Sequence, residues 1–362
     1  MNTFYIVDLE SLDNRYTKQW KTWFPTISEK HLGDQFNVVN IAGQVDGYAK
    51  PQPGAFFNFF GTCEYKASQG VAIAKLFADG KVKNGDYFFF TDAWNQTAHY
   101  VRYMAELSDI KVHMGGIWHA GWYDPTDILG VTIKNKAWAK DFERSVYHAF
   151  DQNFFGTTHN KNLFIESLDL GTTEAQYQKC YSPGVYPFEW IADLKNNVSK
   201  QDIVVFPHRI NYDKAPWIFD ELKEAVQLTH PHIEFAKTQE RNLSKEEYYE
   251  FLKTCKVIFS ANKHENLGIG TFEAMSAGCL PVVPNKLSYK EIYSDMFKYE
   301  VGDDFYTNFE RYKPALVAKI IDFVTNYNSY SKTALALTTE IQDTYFSGTN
   351  MFTEIRKFVA MN

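Results

Sequence analysis

Residues 264–285, "HENLGIGTFEAMSAGCLPVVPN", place two glutamates, Glu265 and Glu273, on either side of a glycine-rich turn. A short helix pattern begins at Thr271, and an apolar strand pattern follows it. Gly268 and Gly270 allow the backbone to approach a ligand closely, and the free N–H groups of a helix start favour an anion. Carboxylates accept hydrogen bonds from pairs of hydroxyls. The stretch therefore suits a ligand with phosphate in its middle and sugars at both ends.

The segments around this stretch alternate between strand and helix patterns from residue 200 onward. Apolar strand patterns occur at 202–209, 232–238, 256–262 and 280–284. Between them, Pro216 suits a first helical turn, and Ser244 with Glu247 forms a capping-box pattern. This alternation predicts a doubly wound, Rossmann-like α/β domain over 200–345.

The N-terminal half shows a similar alternation. Its strand patterns lie at 4–9, 36–41, 86–91, 111–119 and 153–158. They predict a second parallel sheet, in a Rossmann-like domain over 1–195, with the polar stretch 193–202 as a linker. The segment 346–362 has helical spacing and could pack against either domain. Two such sheets would face a cleft, with ligands beyond the carboxyl ends of their strands.

Composition limits the classes of function. The 362 residues carry a net charge of −7, which argues against general attraction to nucleic acid but leaves room for a local basic face. The four cysteines form no C-x-x-C pair and suggest reduced thiols without a metal. Neither a signal-peptide pattern nor a long apolar span is evident, so we expect a cytoplasmic protein, in the host cytoplasm if it is phage-encoded.

The stretch 264–285 resembles the Glu-x7-Glu signature of retaining glycosyltransferases of family 4, which have the GT-B fold. A second motif, "FPHRINYDKAPW" (206–217), agrees. In it Arg209 and Lys214 resemble the cations that clamp the donor diphosphate. The pattern Pro-His-Arg followed by Asp-Lys is most similar to the tRNA-queuosine mannosyltransferase branch. Taken singly, these two could be solvated loop cations, and Glu273 could be an ordinary residue of a first helical turn.

The resemblance implies a nucleotide diphosphate sugar as donor, most readily a UDP-sugar, and no metal cofactor. Glu265 would orient the sugar and Glu273 the ribose, and the leaving phosphate could take the acceptor proton. The implied donor-binding residues are Arg209, Lys214, Asn266, Gly268, Ile269, Gly270 and Glu273. Arg209, Lys214 and Glu265 would be catalytic, together with His119, which resembles the family histidine that contacts the transferred sugar.

The acceptor side departs from the family pattern, because the first strand is followed by "VDLESLDNRYTKQW" and not by a Gly-Gly loop. His119 could instead be a structural histidine. Asp92, after the third strand pattern, could touch an acceptor hydroxyl or cap a helix.

The acceptor itself is predicted from a basic-aromatic stretch and from resemblance. In "IKNKAWAKDFER" (133–144), Lys134, Lys136 and Lys140 could meet phosphates, although a solvated amphipathic helix is the alternative. Candidates for stacking a base are Trp118, Trp122 and Tyr123. Resemblance to the queuosine branch and to phage-encoded glycosyltransferases suggests a hydroxymethylated pyrimidine in DNA. Polysaccharide, lipid or small-molecule acceptors, and a non-catalytic nucleotide-sugar-binding protein, are the alternatives.

Overall fold

The computed structural model describes residues 1–11, 16–45, 58–119, 121–171, 179–188, 191, 194 and 198–362. The chain forms two compact units, the first of Met1–Pro187 with Ser347–Asn362 and the second of Phe188–Phe346. The sequence suggested a first domain that ends at residue 195, whereas here the second unit begins at Phe188. The linker predicted at 193–202 lies partly outside the described residues.

The first unit is built on a six-stranded parallel sheet with the order β2-β1-β3-β4-β5-β6. Its strands are β1 (Asn2–Val7), β2 (Phe36–Ile41), β3 (Tyr87–Phe90), β4 (His113–Trp118), β5 (Gln152–Phe155) and β6 (Cys180–Tyr181). Every residue of β3, "YFFF", is buried, whereas the edge strand β2 exposes part of its length. A central parallel strand is covered on both faces, which explains this continuous apolar run.

Helices connect these strands in the way that parallel pairing requires. They are α1 (Tyr16–Leu32), α2 (Phe59–Ala78), α3 (Thr97–Leu107), α4 (Ile128–Thr132), α5 (Lys136–Ala149) and α6 (Thr158–Ser167). Side chains at their starts accept hydrogen bonds from free N–H groups, as Asn58 does for α2 and Asn135 for α5.

The second unit has a five-stranded parallel sheet with the order β11-β10-β9-β7-β8. Its strands are β7 (Gln201–Phe206), β8 (Glu234–Lys237), β9 (Cys255–Phe259), β10 (Leu280–Pro284) and β11 (Lys298–Tyr299). Its α-helices are α7 (Pro216–Gln227), α8 (Lys245–Thr254), α9 (Ile269–Ser276), α10 (Tyr289–Ile292), α11 (Lys313–Thr325) and α12 (Tyr327–Ile341). The predicted α/β alternation is confirmed in both units.

The sequence predicted one helix start of the second unit correctly and another incorrectly. The capping box is confirmed, since Ser244 Oγ accepts from the N–H of Glu247 and the Glu247 carboxylate accepts from the N–H of Ser244. Helix α9, in contrast, begins at Ile269 and not at Thr271, because Gly268 adopts a left-handed conformation just before it. Glu273 therefore lies in the second turn of α9, and its predicted place in the first turn is wrong.

The C-terminal helix α13 (Thr349–Met361) belongs to the first unit. The Phe352 ring stacks on the His31 ring of α1, with centroids 4.6 Å apart. Arg356 donates from Nε to the His31 carbonyl at 2.8 Å and pairs with Asp34. Tertiary contacts thus decide a position that the sequence left open between the two domains.

Candidate functional site

The strand order of the second unit reverses between β7 and β9, which are neighbours in the sheet. At such a switch point the loops after two adjacent strands diverge and leave a crevice beyond their carboxyl ends. Here these loops are residues 207–215 and 260–268, which carry the motifs of the sequence analysis.

Arg209 and Lys214 lie in the first of these loops. Lys214 closes a 3-10 turn and is 7% exposed. Its Nζ donates to the His264 carbonyl at 2.7 Å and to Glu265 Oε2 at 3.2 Å. Arg209 Nη2 lies 3.2 Å from Asp213 Oδ2. The two cations therefore lie in one charged cluster with Asp213 and Glu265.

Glu265 is the anion of this cluster. Besides Lys214, its carboxylate accepts from Asn262 Nδ2 at 2.8 Å and from the N–H of Gly268 at 3.0 Å. Burial favours the neutral acid, but the neighbouring Lys214 ammonium outweighs burial and lowers the pKa of Glu265 to about 2. Three of the roughly four acceptor positions of a carboxylate are thus occupied, and one remains.

Gly268 is required by the geometry of the turn, whereas Gly270 is not. Gly268 has φ +76°, and a Cβ there would lie 2.7 Å from the Tyr289 ring. A Cβ on Gly270 would meet nothing closer than 3.8 Å. Asn266 and Ile269 flank the same turn and are half-buried. The turn therefore places the start of α9 beside Glu265.

Glu273 is held by residues that the sequence analysis missed. It is 4% exposed, and its carboxylate accepts from Lys245 Nζ at 2.8 Å, Tyr249 Oη at 2.8 Å and Tyr248 Oη at 3.1 Å. These three residues occupy one face of α8, at the spacing i, i+3, i+4 from its first residue. The capping box located that start, so the shared face was readable, but its pairing with α9 was not.

His208 is a second residue that the sequence analysis missed. It is 7% exposed, and its Nε2 has no hydrogen-bond partner among the described residues. Burial, together with Lys214 and Arg209, lowers the pKa of His208 to about 3. A neutral imidazole with an unused buried nitrogen therefore adjoins the two cations. Its position directly before Arg209 was the available signal.

The first unit has its own switch point, between β1 and β3. Asp8 follows β1, and its carboxylate accepts from Tyr65 Oη at 2.5 Å, Asn40 Nδ2 at 3.0 Å and Gln69 Nε2 at 3.1 Å. Lys21 lies 3.4 Å away. Asp8 was not among the residues predicted from the sequence, although an acid directly after a first parallel strand is a usable signal.

Asp92 follows β3 at the same edge and pairs with Lys66 at 2.7 Å. Its other oxygen accepts from the N–H of Trp94 at 3.1 Å. Burial raises the pKa of this carboxyl, but Lys66 and His119 outweigh burial and lower it. The N-cap of α3 is Gln96, so the capping alternative for Asp92 is wrong.

His119 has both ring nitrogens engaged within the first unit. Nε2 lies 2.5 Å from the Thr91 carbonyl and Nδ1 lies 2.7 Å from Tyr186 Oη. Burial lowers the pKa of His119, in keeping with a neutral ring that donates to Thr91 and accepts from Tyr186. This geometry matches the structural alternative for His119.

The candidates for base stacking are corrected by burial. Trp118 and Tyr123 are each 1% exposed and lie in the core of the first unit, so their faces cannot receive a base. Trp122 is half-buried, and its backbone N–H donates to the Glu143 carboxylate. The rings that were expected near a ligand are core residues because their strand and loop turn them inward.

The basic-aromatic stretch forms the start of α5. Lys134 and Lys136 are exposed, and Trp138 is 48% exposed. Lys140 pairs with Asp169, and Phe142 packs on Trp94 with ring centroids 4.5 Å apart. Trp138 also meets the Trp94 ring edge-on, with centroids 6.1 Å apart, so the helix packs from its first turn while Lys134 and Lys136 stay exposed.

Comparison with solved structures identifies the fold. Sucrose-phosphate synthase from Thermosynechococcus elongatus superposes with a TM-score of 0.67 at 11% identity, covering 100% of both chains. An alpha,alpha-trehalose-phosphate synthase from Burkholderia vietnamiensis gives 0.59 at 13% identity, covering 100% of this chain and 98% of that one. The two units and these likenesses define the GT-B fold that glycosyltransferases adopt.

Two further proteins, one solved structure and one partial sequence match, are also similar to this chain. The pneumococcal O-GlcNAc transferase, solved with UDP and GlcNAc, has a TM-score of 0.55 at 12% identity, and the match covers 90% of this chain and 66% of that one. The tRNA-queuosine alpha-mannosyltransferase of Drosophila melanogaster is 30% identical over 25% of this chain, a match that spans only 30% of that enzyme. No protein-family model matches the chain. Among the described residues, none of the helices is both long and apolar enough to cross a membrane.

Proposed function

We propose that this chain is a retaining glycosyltransferase related to family 4, and that its second unit binds a nucleotide diphosphate sugar, most readily a UDP-sugar. The observation that carries the proposal is the joint placement of Arg209, Lys214 and Glu265 at the switch point between β7 and β9. The GT-B fold supports it, as does the presence of UDP and GlcNAc in the pneumococcal transferase.

The proposed reaction breaks the bond between the anomeric carbon and the diphosphate oxygen, and the electron pair leaves with the diphosphate. Arg209 and Lys214 stabilise the charge that develops there, so the reaction needs no resident metal for that purpose. The acceptor oxygen bonds to the anomeric carbon on the face that the diphosphate leaves, and its proton passes to a leaving phosphate oxygen. The anomeric configuration is thereby retained.

The surrounding residues bind different parts of the donor. Glu265 uses its remaining acceptor position for a sugar hydroxyl while it holds Lys214 in place. Glu273 binds the ribose, with Lys245 as a competing partner in the free protein. The Gly268 turn presents the first N–H groups of α9 to the diphosphate, and His208 Nε2 hydrogen-bonds a donor oxygen.

For the acceptor we propose a hydroxymethylated pyrimidine base in phage DNA, modified in the cytoplasm of the infected host. The partial likeness to a transferase named for tRNA-queuosine supports a base as acceptor. Asp92, at the switch point of the first unit, can accept a hydrogen bond from an acceptor hydroxyl, whereas the Asp8 carboxylate is already occupied by Tyr65, Asn40, Gln69 and Lys21. Lys134, Lys136 and Trp138 are exposed and can meet the strand.

The test is incubation with a panel of UDP-sugars and DNA that contains 5-hydroxymethylcytosine, followed by digestion to nucleosides and mass spectrometry. We expect a hexose or pentose mass increment and an α-linked product by NMR. Transfer only to a polysaccharide, lipid or small molecule would exclude the DNA acceptor. Tight UDP binding without transfer to any acceptor or to water would exclude an enzyme.

A further inference from the structure

The loops at the carboxyl edge of the second sheet carry a second cationic cluster, separate from Arg209 and Lys214. Lys263 follows β9 and Lys286 follows β10. Their Nζ atoms lie 4.8 Å and 4.3 Å from the centroid of one ring, that of Tyr306. Lys286 also donates to Tyr306 Oη at 2.5 Å. Two ammonium groups therefore share one aromatic neighbour.

The charge of this pair is not balanced within the described part of the chain. Neither Lys263 nor Lys286 has a carboxylate at ion-pair distance there, and both side chains are half-buried. Burial, reinforced by the charge of Lys263, lowers the pKa of Lys286 to about 8. Like charges that are partly removed from water destabilise one another, and a bound anion relieves that cost. The pair therefore has the electrostatics of an anion site.

A stacking surface adjoins the pair. The rings of Tyr212 and Trp217 stack with centroids 5.2 Å apart and planes at 26°. Tyr212 is 75% exposed, and Lys263 Nζ lies 3.4 Å from its ring centroid and 4.7 Å from that of Trp217. An exposed aromatic face beside unpaired lysines is the combination that binds a nucleotide, since the ring receives a base and the ammonium groups meet phosphate.

We propose that Lys263, Lys286, Tyr212 and Trp217 form a nucleotide subsite for the acceptor, with a phosphate at the lysines and a base against Tyr212. This inference rests on the proposed function. Lys263 lies two residues before Glu265, which there faces the transferred sugar. An acceptor must reach that sugar, whereas the nucleoside of the donor lies toward Glu273.

The experiment titrates the full chain with a fluorescently labelled single-stranded decathymidylate at several salt concentrations, and separately with UDP. For Lys263→Gln and Lys286→Gln we expect weaker oligonucleotide binding and a salt dependence shallower by about 0.7 per lysine in log–log slope. For Tyr212→Ala we expect about tenfold weaker binding. UDP affinity should be unchanged in all three. Lys332→Gln, at an exposed lysine of α12, is the matched control and should behave as wild type.

The outcomes separate this subsite from the proposed donor chemistry. Wild-type protein that binds UDP but not the oligonucleotide overturns the subsite alone. Variants that bind the oligonucleotide as wild type does, or that lose UDP affinity equally, also overturn it. Oligonucleotide binding that depends on these residues without any UDP binding supports the subsite and overturns the donor proposal. Protein that binds neither ligand overturns both.

Discussion

Glu143 in the first unit is buried and Glu265 in the second is half-buried, and each carboxylate accepts three hydrogen bonds. Among the described residues, only Glu265 has a cation as a partner. Glu143 is fully buried and accepts from Trp94 Nε1 and from the N–H groups of Trp122 and Tyr123. Burial raises the pKa of Glu143 to about 7, although these hydrogen bonds act in the other direction. Neutral donors therefore offset only part of the cost of its charge.

Glu265 also accepts from two neutral donors, Asn262 and the N–H of Gly268, but its third partner is Lys214. That partner, against the effect of burial, lowers the pKa of Glu265 to about 2. The comparison teaches that a buried cation, and not the number of hydrogen bonds, keeps an acid charged where burial opposes its charge. Lys214 thus keeps Glu265 ionised at neutral pH, and Glu265 in turn holds the Lys214 ammonium in place.

The largest expected effect comes from removing the cations. We expect Arg209→Ala and Lys214→Ala each to lower kcat/KM for the donor by about 10²- to 10³-fold, or about 3–4 kcal/mol, because the charge of the leaving diphosphate loses its partner. Lys214→Ala should also shift the pKa of Glu265 upward, toward that of Glu143. Steady-state kinetics measure the first effect and pH titration of Glu265 by NMR the second.

The matched control for these variants is Lys223→Ala, at an exposed lysine of α7. Wild-type turnover in both cation variants, with the thermal unfolding midpoint preserved, would show that Arg209 and Lys214 do not clamp the donor.

The next effect is on stability and concerns Glu143. Its pKa is raised from 4.5 to about 7 in the folded state, so the folded protein binds more protons than the unfolded chain between these values. The free energy of unfolding should therefore fall as pH rises from 4.5 to 7, by up to about 3 kcal/mol from this group. Urea unfolding of wild type and Glu143→Gln at pH 5 and pH 8 measures the difference.

Glu265 should show the opposite sign. Its pKa is depressed to about 2, so its contribution to the free energy of unfolding is complete above pH 4.5 and is lost as pH falls toward 2.

For Glu143, identical pH dependence of unfolding in wild type and Glu143→Gln would contradict the assigned role of burial.

A smaller effect distinguishes the two glutamates of the second unit. We expect Glu273→Gln to weaken UDP about tenfold, because a carboxylate holds a ribose diol better than an amide does. Glu265→Gln should keep UDP affinity and lower transfer, since it faces the sugar. Isothermal titration with UDP, alongside transfer rates, compares them, and equal losses of UDP affinity would refute this division.

The smallest effect concerns His208. We expect His208→Phe to weaken UDP about 3- to 10-fold through one lost hydrogen bond, and His208→Gln to restore it, because the glutamine amide reaches the position of Nε2. Ser276→Ala, which removes another buried polar group without a partner, is the control. Wild-type affinity in His208→Phe would exclude this contact.

Local chemistry made much of the fold predictable. Apolar strand patterns located β1 to β5 and β7 to β10 but missed the two-residue strands β6 and β11. The capping box of Ser244 and Glu247 fixed the start of α8. The start of α9 was missed by two residues, because the left-handed conformation of Gly268 is set where the turn packs on Tyr289. Such errors arise where a distant side chain, and not the local sequence, decides the backbone.

The candidate site, like the fold, was predictable only in part. The turn that carries Glu265 was singled out from its residue types and its place after a predicted strand, whereas Arg209 and Lys214 were singled out from the family resemblance. The partners of Glu273 on α8 were not, because they depend on how two helices pack across the sheet. Trp118 and Tyr123 were expected to stack on a base because they are aromatic, but both are buried in the core of the first unit.

By itself, the sequence determined the alternation of elements, the parallel class of both sheets and the motifs beside the strand ends, because these depend on periodicity and on residues near in the chain. Only the tertiary structure decided that α13 packs on α1 and that Lys263 and Lys286 share one ring. It also decided that Glu265 has a cation, whereas Glu143 has none in the part of the chain that the structure describes. Each of these joins residues far apart in sequence, and the burial and charge around a side chain exist only once the chain has folded.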